Sequence, residues 1–229
     1  MTSPSSLFPA PSCLAPFPLV FFVHGIRNTA DNYGEILQRW VRQRDLPVYF
    51  EGIDWGWISG VQMWLAHFIP FAEHRRRGRI AKQIREAHEV LGRGRRASVI
   101  AHSKGTDLIV DTLWACPDIE IDALVLVGSV LSNRFQNSKV QGLLARGQLN
   151  RVLVVWSKND SVIRNLSVWP YGKLGATGFL DLSVSPGFYG EAVTQLQTEE
   201  EHSTYFWSEF RQQHFRQWFE FILHTEVRA

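Results

Sequence analysis

Cysteine is nearly absent: the 229 residues hold two, Cys13 and Cys116. Two cysteines make no disulfide framework, so an apolar core has to hold the fold, and a reducing compartment such as the cytoplasm is expected. An excess of one charge is missing as well, with 24 Lys and Arg against 22 Asp and Glu and a net charge of +2. No global field draws this chain to nucleic acid, and the basic region from Arg75 to Arg96 lacks the interleaved aromatics that stack bases. No apolar run reaches the ~20 residues that span a bilayer. Leu14–Val23 is apolar enough to imitate a signal-peptide core, but no Lys or Arg precedes Arg27, and Pro16 and Pro18 interrupt the run. Residues 1–16 read instead as a disordered tail ahead of a buried strand. Neither an internal repeat nor a linker divides residues 17–229. At 45% hydrophobic composition, they are expected to form one domain with a substantial core.

What the sequence does contain is a series of short apolar runs. Leu19–Val23, Ser98–Ala101, Ala123–Val127 and Val152–Trp156 have the unbroken character of strands buried on both faces of a parallel sheet. Val48–Ile53 and Ala192–Gln197 are two further strand candidates. Helical spacing lies between the runs. Ile80, Ile84, Ala87 and Leu91 form a stripe that stops near Gly92 and Gly94, and Ile109, Val110, Leu113 and Trp114 form another. Phe206, Phe210, Trp218 and Ile222 mark a closing amphipathic helix. This alternation predicts an α/β architecture: a mostly parallel, doubly wound sheet of about six strands with flanking helices. Two segments fit poorly. Residues 55–71 carry three tryptophans and no formal charge apart from His67, and residues 161–201 are rich in Gly, Pro and aromatics. Both are candidates for a cap, a lid or a pocket lining.

Val99–Thr106 carries the chemistry. It runs from an apolar strand into Ala101-His102-Ser103-Lys104-Gly105 and then into a helix. A serine at a sharp strand-to-helix turn projects its hydroxyl from the sheet edge, the arrangement called a nucleophile elbow and usually written G-x-S-x-G. Alanine here takes the first small position. A serine hydroxyl needs a histidine base, itself oriented by a carboxylate, and in this topology acid and histidine follow the serine in that order. Asp160 stands just past the strand Val152–Trp156, where parallel sheets place functional groups. Asp107 and Asp111, on the helix after Ser103, are expected to be solvated. Asp181 lies in the irregular region, and Glu199–Glu201 sit close in sequence to the expected base. That base is His202, which follows the last strand and precedes the terminal helix. His24 and His102 belong to the two turns, His67, His74 and His88 precede the nucleophile, and His214 and His224 fall in or beside the terminal helix. Oxyanion donors are expected from the backbone N–H groups of Ile26, after His24-Gly25, and Lys104, each donor contributing about 3–4 kcal/mol in a transition state.

These features together resemble the α/β-hydrolase superfamily, and more narrowly its small bacterial lipase- and esterase-like members. The matching residues are the His24-Gly25-Ile26-Arg27-Asn28 turn, Trp55 after the next strand, Ser103 in its elbow, Asn159-Asp160-Ser161-Val162 and the final His202. They cover nearly the whole chain. The resemblance implies ester hydrolysis through an acyl-enzyme with no metal and no organic cofactor. Ala101, the charged Lys104 and the lack of two strands ahead of Leu19 depart from the usual pattern. His24, Gly25, Arg27, Trp55, Trp57 and Trp64 are then the expected substrate-facing residues, and a small-molecule or lipid ester the expected substrate. The tryptophan-rich stretch followed by His74-Arg75-Arg76-Arg77-Gly78-Arg79 has the look of an interfacial element, so peripheral membrane contact through residues 55–79 is one expectation. An acyl-binding lid is another, and a buried helix followed by a solvated basic turn is a third. Acyl transfer to an acceptor other than water, or a binding protein that keeps the fold without the reaction, remain open beside hydrolysis.

Overall fold

The computed structural model describes residues 17–25, 30–55, 70–91, 96–165, 171–182, 192–206 and 213–223. The expected tail 1–16, most of the tryptophan-rich segment (56–69) and parts of the expected cap (166–170 and 183–191) lie outside them.

Leu19–Val23 forms the first strand, β1, and its five residues are all buried. Because side chains alternate along a strand, Leu19, Phe21 and Val23 enter one apolar layer while Val20 and Phe22 enter the other. Neither face meets water, which is why the sequence shows no polar alternation. The chain continues through helix α1 (Ala30–Gln43), β2 (Tyr49–Ile53), α2 (Pro70–Leu91), β3 (Ala97–His102), α3 (Lys104–Ala115), β4 (Ile121–Val127) and α4 (Lys139–Ala145). It closes with β5 (Leu149–Ser157), α5 (Ser161–Asn165), α6 (Leu174–Thr177), β6 (Val193–Thr198) and α7 (Gln213–Leu223). Six strands form one sheet in the order β2-β1-β3-β4-β5-β6, and every neighbouring pair is parallel.

Helices cover both faces. Tyr33, Leu37 and Trp40 of α1, with Phe215, Trp218 and Phe219 of α7, pack on Phe22, Ile100, Val125 and Val155. On the opposite face Ile80 and Ile84 of α2, Leu108 and Ile109 of α3, and Leu143 of α4 meet Phe21, Val99, Leu126 and Val154. Local signals set several boundaries. Ser138 caps α4, its hydroxyl accepting the Gln141 N–H at 3.1 Å, and the Gln148 side-chain amide donates to the Leu113 and Cys116 carbonyls that end α3.

Two expectations are corrected. The terminal helix begins at Gln213; Phe206 instead closes a short 3-10 turn, Thr204–Phe206, and Phe210 lies outside the described residues. The basic stretch His74–Arg79 is not a solvated turn but part of α2. Apolar anchors at Ile80, Ile84 and Ala87 hold that helix on the sheet, and Glu73 and Arg77 in its first turns pair with Lys104 and Asp111 of α3. No helix among the described residues is long and apolar enough to cross a membrane.

The strand order places the site. From β1 the chain moves outward to β2, then returns to the other side of β1 as β3. At such a switch point the connections leave in opposite directions and open a crevice at the carboxyl ends of the strands. His24 follows β1 at that crevice, and Ser103 follows β3.

Candidate active site

Ser103 occupies the junction of β3 and α3 with φ 52° and ψ −125°, a left-handed backbone that costs a residue with a Cβ about 1–3 kcal/mol. The surroundings enforce it. The Ser103 N–H donates to the Val127 carbonyl at 3.0 Å, and the Ser103 carbonyl accepts from the N–H of Thr106 at 3.0 Å and from its hydroxyl at 2.6 Å. The hydroxyl of Ser103 is thereby turned away from the sheet and towards His202.

Two hydrogen bonds join the three residues singled out from the sequence. The Ser103 hydroxyl donates to His202 Nε2 at 2.9 Å, and His202 Nδ1–H donates to Asp160 Oδ2 at 2.8 Å. An ionised carboxylate only accepts, so Asp160 fixes the tautomer that leaves Nε2 free to take a proton. The other carboxylate oxygen of Asp160 accepts the Ile163 N–H at 2.9 Å at the start of α5. Asp160 is fully buried, while Ser103 and His202 keep 5% and 9% of their surface.

The loop carrying His202 is fixed by the glutamates that competed with Asp160 in the sequence. Glu201 accepts from the Ser161 hydroxyl at 3.0 Å, Glu200 from the Thr204 hydroxyl at 2.9 Å and Glu199 from the Asn159 amide at 2.9 Å. Asp181 lies elsewhere, accepting the Phe135 and Gln136 N–H groups. Beneath the loop, the buried ring of His102 donates from Nε2 to the His202 carbonyl at 3.1 Å. Burial above all, with His202 alongside, pushes the His102 imidazole well below its ordinary pKa.

Gly128, just past β4, has φ +51°, and a Cβ there would come within 3.1 Å of His202 Nδ1 and 3.2 Å of Asp160 Oδ2. It leaves room for the imidazole–carboxylate pair. The sequence reading passed over it, although a glycine directly after an apolar strand run was its visible signal.

On the β1 side, the Cβ position of Gly25 lies 2.8 Å from Ser103 Cβ, so this turn closes directly over Ser103. His24 and Trp55 are both buried, with their rings stacked at 4.6 Å. Trp55 Nε1–H donates to the His24 carbonyl at 2.9 Å, so the tryptophan props up the turn. Lys104 is the first residue of α3, where an N–H has no intrahelical acceptor, and that N–H is adjacent to Ser103. Ile26, Arg27, Trp57, Trp64, His67 and His224 lie outside the described residues. His74 and His88 sit on α2 and His214 on α7, none of them at Ser103.

The Lys104 side chain is the largest departure from expectation. Only 2% exposed, its ammonium pairs with Glu73 of α2 at 3.0 Å and with Asp107, and lies 5.1 Å from the ring centroid of Tyr171. Burial opposes the charge, but Asp107 and Glu73 outweigh it and raise the lysine pKa. Asp107 and Asp111 are therefore ion-paired and only partly exposed: Asp111 holds Arg77 at 3.7 Å and also pairs with Lys139. Lys104 and Asp107 are an i,i+3 pair on α3 that the sequence could have suggested, but Glu73 and Arg77 come from α2 and Lys139 from α4, and nothing local announces those contacts.

Comparison with known proteins supports the architecture. The sequence matches no protein-family model and no curated protein. Solved structures do match. A protein of the alpha/beta hydrolase superfamily from Xanthomonas campestris pv. campestris is 12% identical, with TM-score 0.53 over 89% of this chain and 98% of that one. A hyperthermophilic esterase from Pyrobaculum calidifontis is 14% identical, with TM-score 0.55 over 88% and 74%. A dienelactone hydrolase from Anabaena variabilis is 11% identical, with TM-score 0.51 over 91% and 86%. The likeness establishes the fold of this chain as the α/β-hydrolase fold.

Proposed function

We propose that this protein is a serine hydrolase of carboxylic esters. The observation that carries the reading is the hydrogen-bonded series Ser103–His202–Asp160 at the switch point of the sheet. His202 Nε2 takes the Ser103 proton as Oγ attacks the ester carbonyl, and Asp160 holds the imidazole in place and stabilises the imidazolium. The Lys104 N–H, with that of Ile26, donates a hydrogen bond to the developing oxyanion. Collapse of the tetrahedral intermediate expels the alcohol, which takes the proton from His202. Water, activated by the same imidazole, then releases the acid and restores Ser103. The esterases and hydrolases among the structural neighbours use the same fold, which is consistent with this reading.

A fluorophosphonate probe tests it. Ser103 is expected to be the labelled residue, and Ser103→Ala to lose both labelling and turnover of short 4-nitrophenyl esters. Unchanged turnover in that variant rules out the assignment. A folded, probe-negative wild type points to a binding protein, and transfer of the acyl group to added alcohol in preference to water points to an acyltransferase.

A further inference from the structure

Where α2, α3 and α4 meet, three cations have carboxylate partners. Lys104 sits between Glu73 and Asp107, while Arg77 and Lys139 share Asp111. Arg76 lies one helical turn beyond Glu73, on the same side of α2, and pairs with no carboxylate among the described residues. Its Nη1 is sealed from solvent and has no hydrogen-bond partner. A guanidinium carries five donors and never gives up its charge, so a buried, unanswered N–H on it is costly.

Arg76 is also linked to the site through Trp55 and His24. Its guanidinium carbon is 5.7 Å from the ring centroid of Trp55. That ring stacks on His24, and Gly25 next to it abuts Ser103. Glu73, the turn before, reaches the side chain of the residue that follows Ser103. Asp54, the acid nearest in sequence to Trp55, is 72% exposed and lies 3.9 Å from His24 Nε2. An unpaired cation is thus held by an aromatic ring that packs, through His24, on the turn beside Ser103.

We infer that Arg76 recognises a carboxylate carried by the substrate, so that the preferred ester is anionic. This rests on the ester-hydrolase reading above. The planar fork of a guanidinium matches a carboxylate in two parallel hydrogen bonds, and the Trp55 ring orients the fork without neutralising it. The carboxylate can reside in the acyl part of the ester or in the alcohol part, and two substrates separate these cases.

The experiment compares kcat/KM of the full-length protein for ethyl valerate, ethyl hydrogen glutarate and 4-acetoxybutyrate, following acid release by pH-stat. The wild type is expected to favour one of the two anionic esters over ethyl valerate by at least about tenfold, mainly through KM. In Arg76→Gln that ratio is expected to fall towards one, and in Arg76→Lys, which keeps a charge without the fork, to take an intermediate value. Calorimetric titration with glutarate reads the same site without turnover, and binding is expected in the wild type and lost in Arg76→Gln. A wild-type ratio of one, a ratio unchanged by Arg76→Gln, or equal glutarate binding by both proteins overturns the inference. If no ester is hydrolysed and no probe labels Ser103, the hydrolase reading fails, and the glutarate titration still decides whether Arg76 is an anion site.

Discussion

His102 Nε2–H donates to the backbone carbonyl of His202 across 3.1 Å, tying the residue before the nucleophile to the main chain of the expected base. The contact joins the end of β3 to the loop carrying His202, 100 residues apart in sequence. It anchors the backbone from which the His202 ring hangs, while Asp160 holds the ring itself at Nδ1. A misplacement of about 1 Å at a reacting group can cost on the order of 100-fold in rate. His102→Leu is therefore expected to lower kcat on a short ester by roughly 10- to 100-fold with little change in KM. His102→Gln, which keeps a donor, should recover part of the loss. Equal kinetics for wild type and His102→Leu would show that the His202 loop holds itself.

The same imidazole makes folding sensitive to acid. Burial first, and His202 second, keep the His102 pKa well below its ordinary value in the folded protein. In the unfolded chain the ring titrates near its ordinary value of about 6.5. In mild acid the unfolded state therefore binds a proton that the folded state refuses. Stability is full above about pH 6.5 and is lost as the pH falls towards the folded-state value. His88, also lowered chiefly by burial, contributes in the same direction. Melting temperatures measured from about pH 7 down to about pH 5 should fall in the wild type and fall less steeply in His102→Gln. A slope that the substitution leaves unchanged would assign the acid sensitivity to other groups.

Lys104 gives a second stability prediction. Its ammonium is buried against two carboxylates, and removing one partner of a buried ion pair costs about 3–5 kcal/mol because the other charge is left stranded. Asp107 and Glu73 keep some exposure, so Lys104→Met is expected at the lower end, about 3 kcal/mol by urea unfolding. Glu73→Gln should cost less, since Asp107 still answers the lysine. The raised lysine pKa has the opposite pH sense to His102. Its contribution is complete below the unfolded value of about 10.4 and is lost as the pH climbs through the folded value. The stability gap between wild type and Lys104→Met should accordingly persist across neutral pH and narrow only in strong alkali.

These residues also mark what the sequence makes legible. Leu19–Val23 and Val152–Trp156 announce their strands because burial on both faces leaves an unbroken apolar run, a local signal that needs no partner. Asp160 and His202 are legible because a parallel sheet puts its loops at one edge in chain order, so position along the chain stands in for position in space. Charged residues carry no such signal. Asp111 and Arg77 look like solvated surface until α2 lies against α3 and the two pair, and Glu73 likewise until it meets Lys104. His102 is similar: one histidine before the serine is visible, but the His202 carbonyl above it is not. Gly128 differs again, since its meaning lies in the space it leaves between β4 and two side chains from later loops.

That space can be tested with a matched control. Gly128 and Gly147 both have positive φ, +51° and +67°, so alanine strains the backbone at either position, by about 1–2 kcal/mol. Their surroundings differ. A Cβ at Gly128 meets His202 Nδ1 and Asp160 Oδ2, whereas a Cβ at Gly147 meets nothing within 4 Å. Urea unfolding of Gly128→Ala and Gly147→Ala is therefore expected to show comparable losses. The rate of fluorophosphonate labelling should separate them: Gly147→Ala keeps the wild-type rate, and Gly128→Ala falls by at least about tenfold because the imidazole is pushed off the Ser103 hydroxyl. If both variants label at the wild-type rate, the His202–Asp160 pair tolerates a methyl group at Gly128, and the glycine serves only the turn after β4.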